Sequence, residues 1–157
     1  MDNSGNLYIG GGLSAVGETH ANCVAKWDGH SWTTLGSGVG GSAANVLALV
    51  VSGTDVYAGG VFTTAGGRAA TNIAKWDGSS WTSLGSGVDS GVNTLAISGN
   101  TVYAGGYFRM AGRSMANYIA KWDGNNSEPA LKLPGVLRRE VLASAKAARP
   151  EYPRSGL

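Results

Sequence analysis

Three aspartates stand at equivalent places in three similarly worded stretches: Asp28, Asp77 and Asp123, each between a tryptophan and a glycine. Repeated carboxylates around a common axis could hold a metal ion or form an acidic ring. The plainer reading is a hairpin turn, for which Asp-Gly is a strong signal. Equivalent residues of separate units also lie far apart unless they face one central channel, so we expect the turn. The two histidines, His20 and His30, both belong to the first stretch and hold different positions within it. They do not make a metal pair, and both are expected on solvent-exposed loops. Cys23 is the single cysteine, which excludes an intrachain disulfide. A cysteine nucleophile needs a base and a group that orients the base. Neither is recognisable, so a buried or half-buried neutral thiol is expected. Arg68, Arg109 and Arg113 follow the second predicted strand of their stretches, where they could meet an acidic partner or a glycan. Their offsets from Tyr57 and Tyr103 differ, which favours a solvated loop. No glycine-rich segment opens a helix, as a phosphate cradle must. No residue is left with a catalytic, cofactor-binding or metal-binding role, and the expectation is a protein that is not an enzyme and uses no cofactor.

The elements that carry these residues are written three times. Tyr8, Tyr57 and Tyr103 each precede a tryptophan (Trp27, Trp76, Trp122) by 19 residues, with no gap inside that window. The tyrosines are 49 and then 46 residues apart, and the difference falls between copies, in Gly40 to Ser52 against Asp89 to Gly99. Length variation confined to one connection is what a loop tolerates. The copies run over about residues 1–38, 39–87 and 88–124.

The second copy divides into four short strands. Asn45 to Val51 is largely apolar and is expected to be buried on both faces. Val56 to Ala58 follows the turn Ser52-Gly53-Thr54-Asp55 and is expected to end at Gly59-Gly60, where glycines permit close backbone approach. Asn72 to Trp76 and Trp81 to Leu84 flank the Asp77-Gly78 turn. Such a small sheet has two apolar faces and cannot cover both alone, so copies must stack. The first copy lacks its opening strand, and the third reaches Asp123-Gly124 without a second tryptophan. Strand counts of three, four and three are therefore expected.

Composition agrees with short strands and tight turns. Glycine is abundant at 26 residues, and charged residues are only 14%, well under the usual quarter. Residues 1–124 carry six Lys/Arg and seven Asp/Glu, a net of −1, whereas residues 125–157 carry six Lys/Arg and three Glu, a net of +3. The repeats thus lack the basic footprint of a nucleic-acid binder. No apolar run approaches the ~18 residues of a membrane-spanning helix, and Met1-Asp2-Asn3 has neither the basic start nor the apolar core of a secretory leader.

The basic tail, 125–157, changes language. Leu137, Val141, Ala145 and Ala148 fall at helical spacing, and Pro150 and Pro153 would end the helix. An irregular or helical tail is expected. Three readings stay open for it: a basic docking helix, a short poorly ordered tail, or a segment foreign to the fold.

The array Gly59-Gly60, then Asn72-Ile73-Ala74-Lys75-Trp76-Asp77-Gly78, then Trp81 resembles a kelch repeat, and a period of 46–49 residues is near that family's. The wording through Leu84-Gly85-Ser86-Gly87-Val88 is more closely similar to repeats of large bacterial surface or secreted proteins and of the fungal cortical marker for cell polarity. The resemblance covers residues 1–124. It implies an all-β fold, a partial β-propeller of consecutive four-stranded kelch-like blades, and a non-catalytic platform for protein or carbohydrate binding within a longer, often extracellular or cell-surface, protein. A complete propeller of this kind needs six or seven blades, and this chain holds under three. A homo-oligomer that closes one ring is one way to supply the others. A fragment of a propeller hydrolase or oxidase, with most of its active site in absent blades, is the second reading. A truncated product with exposed strand edges is the third. Galactose oxidase shares the propeller, but its copper ligands include histidines and a tyrosine crosslinked to cysteine, and His20, His30 and Cys23 do not match them.

Overall fold

A computed structural model describes residues 1–124 and 127–129, and the helix expected within 136–149 lies outside the described residues. The described residues form strands, turns and bends, with no helix among them. The protein is all-β. The first copy holds β1 (Leu7–Gly10), β2 (Ala15–Val16), β3 (Thr19–His20), β4 (Val24–Trp27) and β5 (Trp32–Thr34), and β6 (Val39–Gly40) leads out of it. The second holds β7 (Asn45–Ser52), β8 (Asp55–Val61), β9 (Thr64–Ala65), β10 (Arg68–Ala69), β11 (Ile73–Trp76) and β12 (Trp81–Ser83). The third holds β13 (Val92–Ser98), β14 (Thr101–Gly106), β15 (Met110–Ala111), β16 (Ser114–Met115), β17 (Ile119–Trp122) and β18 (Ser127–Pro129).

Each copy centres on one antiparallel sheet, in the order β1-β4-β5, β12-β11-β8-β7 and β13-β14-β17-β18. The core lies between these sheets. One apolar cluster joins the first and second copies through Val24, Leu35, Val46, Val56, Phe62 and Trp81. The other joins the second and third through Tyr57, Ile73, Leu84, Val92, Val102 and Phe108. Burying both faces of the second sheet in this way is the stacking that a small two-faced sheet requires.

Four expectations need correction. The main sheet of the third copy has four strands, because β18 pairs with β17 and sets Ser127 opposite Trp122, the register that Trp81 holds opposite Trp76. Backbone pairing does not need a tryptophan, and Pro129 is tolerable on an edge strand. Second, β8 does not stop at Gly59-Gly60 but continues through them to Val61. Third, β7 is not buried on both faces: Val46 is buried, while Leu47 is 47% exposed. Leu47 is a bulge residue, since the register with β8 shifts between Val46 and Ala48. The same shift occurs in β13 between Val92 and Thr94, so both strands turn one side chain aside at the same point. Finally, the stretch after the second strand contains a two-strand hairpin in every copy, β2–β3, β9–β10 and β15–β16. Each hairpin turns at a glycine with positive φ, namely Gly17, Gly66 and Gly112.

In the central pair, the two glycines are required for different reasons. A Cβ on Gly59 would come within 2.5 Å of the Val92 side chain of the next copy, and one on Gly10 equally close to Val46. A Cβ on Gly60 would strike the carbonyl oxygen of Asn45 in its own sheet, and one on Gly106 that of Gly91. The first glycine lets neighbouring sheets approach, and the second accommodates the bulge.

Candidate functional site

Cys23, Asn72 and Tyr118 are equivalent, and all three take left-handed backbone angles, with φ of 65°, 64° and 78°. Asparagine is the residue best suited to that region after glycine. The backbone bonds agree in all copies. The N–H groups of Cys23, Asn72 and Tyr118 donate to Leu13, Phe62 and Phe108. Their carbonyls accept from Gly11, Gly60 and Gly106. The side chains diverge. The buried Asn72 amide accepts from the Phe62 N–H at 3.1 Å and donates to the Val88 carbonyl at 2.9 Å, bridging two segments. Cys23 instead donates its thiol to the Ala44 carbonyl at 3.2 Å. Burial pushes its pKa up, so it is a buried neutral thiol, as expected, and not an activated nucleophile.

A cleft of about 530 Å³ opens beside Cys23 between the first and second copies, lined by Leu13, Asn22, Ser37, Ala44 and Thr64 together with the backbone of residues 38–41. Leu13 stands where Phe62 and Phe108 are fully buried.

A second cleft, of about 260 Å³, lies between the second and third copies. Asp55, Tyr57, Lys75, Asn100, Trp122 and Asp123 line it. Lys75 Nζ pairs with Asp55 Oδ2 at 2.6 Å and sits 5.9 Å from the centre of the Tyr57 ring. The hydrogen bond to Asp55 raises the lysine's pKa. This cleft offers ammonium, amide and carboxylate groups beside aromatic edges, a mixture suited to a neutral polyol or a polar peptide segment.

The remaining expected positions separate. Asp28 and Asp77 are turn residues: Oδ1 of Asp28 accepts the N–H groups of His30 and Ser31, both at 2.8 Å. Oδ1 of Asp77 accepts those of Ser79 at 2.8 Å and Ser80 at 2.7 Å. These bonds hold both carboxyls below the usual range. His20 is exposed in β3 and His30 exposed in a turn, on different elements. Arg68 opens β10, Arg109 precedes β15 and Arg113 occupies the turn before β16, all exposed. Among the described residues no group of three or more His, Cys, Asp or Glu side chains comes together as a metal site would require. No described helix is long and apolar enough to cross a membrane.

Sequence reasoning missed how the copies are tied together. Trp81 Nε1 donates to the Leu35 carbonyl of the preceding copy at 2.7 Å. The turn glycines of the inserted hairpins donate backward too, Gly66 to the Gly38 carbonyl at 2.8 Å and Gly112 to that of Gly87 at 2.9 Å. The repeated Leu-Gly-Ser-Gly-Val, at Leu35–Val39 and Leu84–Val88, was the available signal. No protein-family model matches the chain, and no curated protein matches it.

Proposed function

We propose that this chain is a non-catalytic repeat module, a run of kelch-like propeller blades that binds protein or carbohydrate and works as part of a larger propeller. The observation that carries this reading is the uncovered face of the first copy. Leu7 is 37% exposed, whereas its counterparts Val56 and Val102, each covered by a preceding copy, are 0% and 2% exposed. The stacking interface repeats, so a further blade of the same kind fits over Leu7. The polar cleft at Lys75, Asp55 and Asn100 is the candidate contact for a glycan or peptide.

Light scattering after size exclusion tests the assembly, against a monomer mass of 15.9 kDa. A discrete dimer or trimer, or a monomer that binds a hydrophobic dye through its open face, fits the proposal. A dye-silent monomer with slow amide exchange around Leu7 would overturn it. For the ligand, glycan-array binding that is lost in Lys75→Ala supports the carbohydrate form.

A further inference from the structure

We infer that the cleft between the second and third copies binds one uncharged hexopyranose unit, held by the Tyr57 hydroxyl, Asp55 and Lys75. The inference rests on the carbohydrate form of the reading above. It adds the class of sugar and the group on which recognition turns.

Tyr57 is the anchor. Its ring packs in the cluster between the second and third copies, and the residue is only 7% exposed. Its hydroxyl makes no hydrogen bond among the described residues, yet it is not one of the polar atoms closed off from solvent. Tyr57 lines the cleft, so the hydroxyl is offered there.

The first copy shows what such a hydroxyl takes. Tyr8 stands opposite Lys26 as Tyr57 stands opposite Lys75. Tyr8 donates to Asp2 Oδ2 at 3.0 Å, and Asn6 Nδ2 donates to the same oxygen at 2.7 Å. Two donors, two residues apart, hold an acceptor that the chain itself supplies. In the second copy the residue two before the tyrosine is Asp55 in place of an asparagine. One of the two donors has become an acceptor. A group that completes this pair must donate to Asp55 and accept from Tyr57, and an alcohol oxygen does both. A carboxylate or phosphate only accepts, and it would meet the like charges of Asp55 and Asp123 in the same cleft. An ammonium group cannot accept from Tyr57, and Lys75 already supplies one, 2.6 Å from Asp55 Oδ2.

Lys75 adds a second contact. Its ammonium carries three N–H groups, of which Asp55 needs one, and its side chain remains 25% exposed. A carboxylate and an ammonium held side by side match adjacent hydroxyls on a sugar ring. Half-buried Trp122 gives the wall an aromatic surface for the C–H face of that ring, and exposed Asn100 adds an amide. The volume of about 260 Å³ lies below the roughly 300–1,000 Å³ of sites for drug-sized ligands, which favours a single ring over a peptide segment.

The test titrates the full chain with the methyl glycosides of glucose, galactose and mannose, and with methyl glucuronide, read by saturation-transfer NMR. At least one neutral glycoside should bind, and the glucuronide should not. Tyr57→Phe keeps the ring in the core and should weaken binding roughly five- to tenfold, the effect of one hydrogen bond. Lys26→Met, at the matching place in the first copy, should leave binding unchanged. Asp55→Asn recreates the donor pair of the first copy and should shift preference towards the glucuronide. A trisaccharide ending in the preferred hexose should bind as well as its methyl glycoside if a glycan end is the source, and more weakly if a free sugar is. Neutral-glycoside binding that Tyr57→Phe leaves unchanged would overturn this site and retain a carbohydrate module that binds elsewhere. Glucuronide binding equal to that of the neutral sugars, or an unaltered preference in Asp55→Asn, would overturn the class of ligand. Silence from all four glycosides would also overturn the site, while a discrete oligomer in light scattering would still retain the larger assembly.

Discussion

The first and second copies use nearly the same residues and arrive at different degrees of completion. Trp27 and Trp32 pack with ring centres 5.3 Å apart, and Trp76 and Trp81 with centres 5.7 Å apart, at similar tilts. Yet Trp81 is 3% exposed and bonded to Leu35 of the preceding copy, while Trp32 is half-buried. The contrast teaches that the pair of tryptophans is a local feature, whereas burial of the second one belongs to the interface. A copy of this repeat has no finished core of its own.

That contrast can be broken by matched substitutions. Trp81→Ala should cost about 3–5 kcal/mol, as large buried aromatics do, and Trp32→Ala at most about half as much; urea unfolding measures both. A reversed order would mean that the copies do not stack as described.

Next comes the bulge glycine. Gly60→Ala drives a methyl group into the Asn45 carbonyl oxygen, while at Gly11 the nearest neighbour of a Cβ is the Leu13 side chain at 3.5 Å. Destabilisation of about 2–3 kcal/mol is expected for Gly60→Ala and under about 1 kcal/mol for Gly11→Ala. Equal losses would place a strand against β1 already, contrary to the order β1-β4-β5 of its sheet.

A smaller effect separates Asn72 from Cys23. Asn72→Cys leaves the Phe62 N–H and the Val88 carbonyl without their side-chain partner, costing about 1–3 kcal/mol. Cys23→Asn suits the left-handed backbone and should change stability by less than about 1 kcal/mol, readable as a shift of the thermal midpoint.

The smallest effect is the pH response of the first copy, where Asp2 accepts hydrogen bonds from the Asn6 side chain at 2.7 Å and the Tyr8 hydroxyl at 3.0 Å. The bond from Asn6 leads in lowering the Asp2 pKa to about 2. Its stabilisation is complete above about pH 4 and is lost as pH falls through 2. Burial, with help from Asp2, raises the Tyr8 pKa to about 12. Stabilisation from that group is complete below pH 10 and is lost as pH rises through 12. Asp2→Asn should weaken the acid-side dependence and lower the Tyr8 midpoint in an ultraviolet titration. An unchanged tyrosine midpoint would show that Asp2 does not govern it.

Much of the local structure was legible in the chain. The Asp-Gly turns are self-contained, because Asp28 and Asp77 bond to N–H groups only two and three residues away. The third strand was placed to within a residue, Ile73–Trp76 against an expected start at Asn72. The role of Asn72 was not legible, since its bond to Val88 spans 16 residues and reaches a connecting segment. Nor was β18, whose residues Ser-Glu-Pro have no strand signature of their own and pair because β17 offers a free edge.

By itself the sequence determined the repeat, its turns and the apolar residues each copy presents, because these follow from steric preference and from side-chain periodicity over a few residues. Only the tertiary structure decided which of those residues are covered. Leu7, Val56 and Val102 are nearly equivalent as text, and what distinguishes them is whether another sheet lies in front, a property of neighbours that no single copy contains.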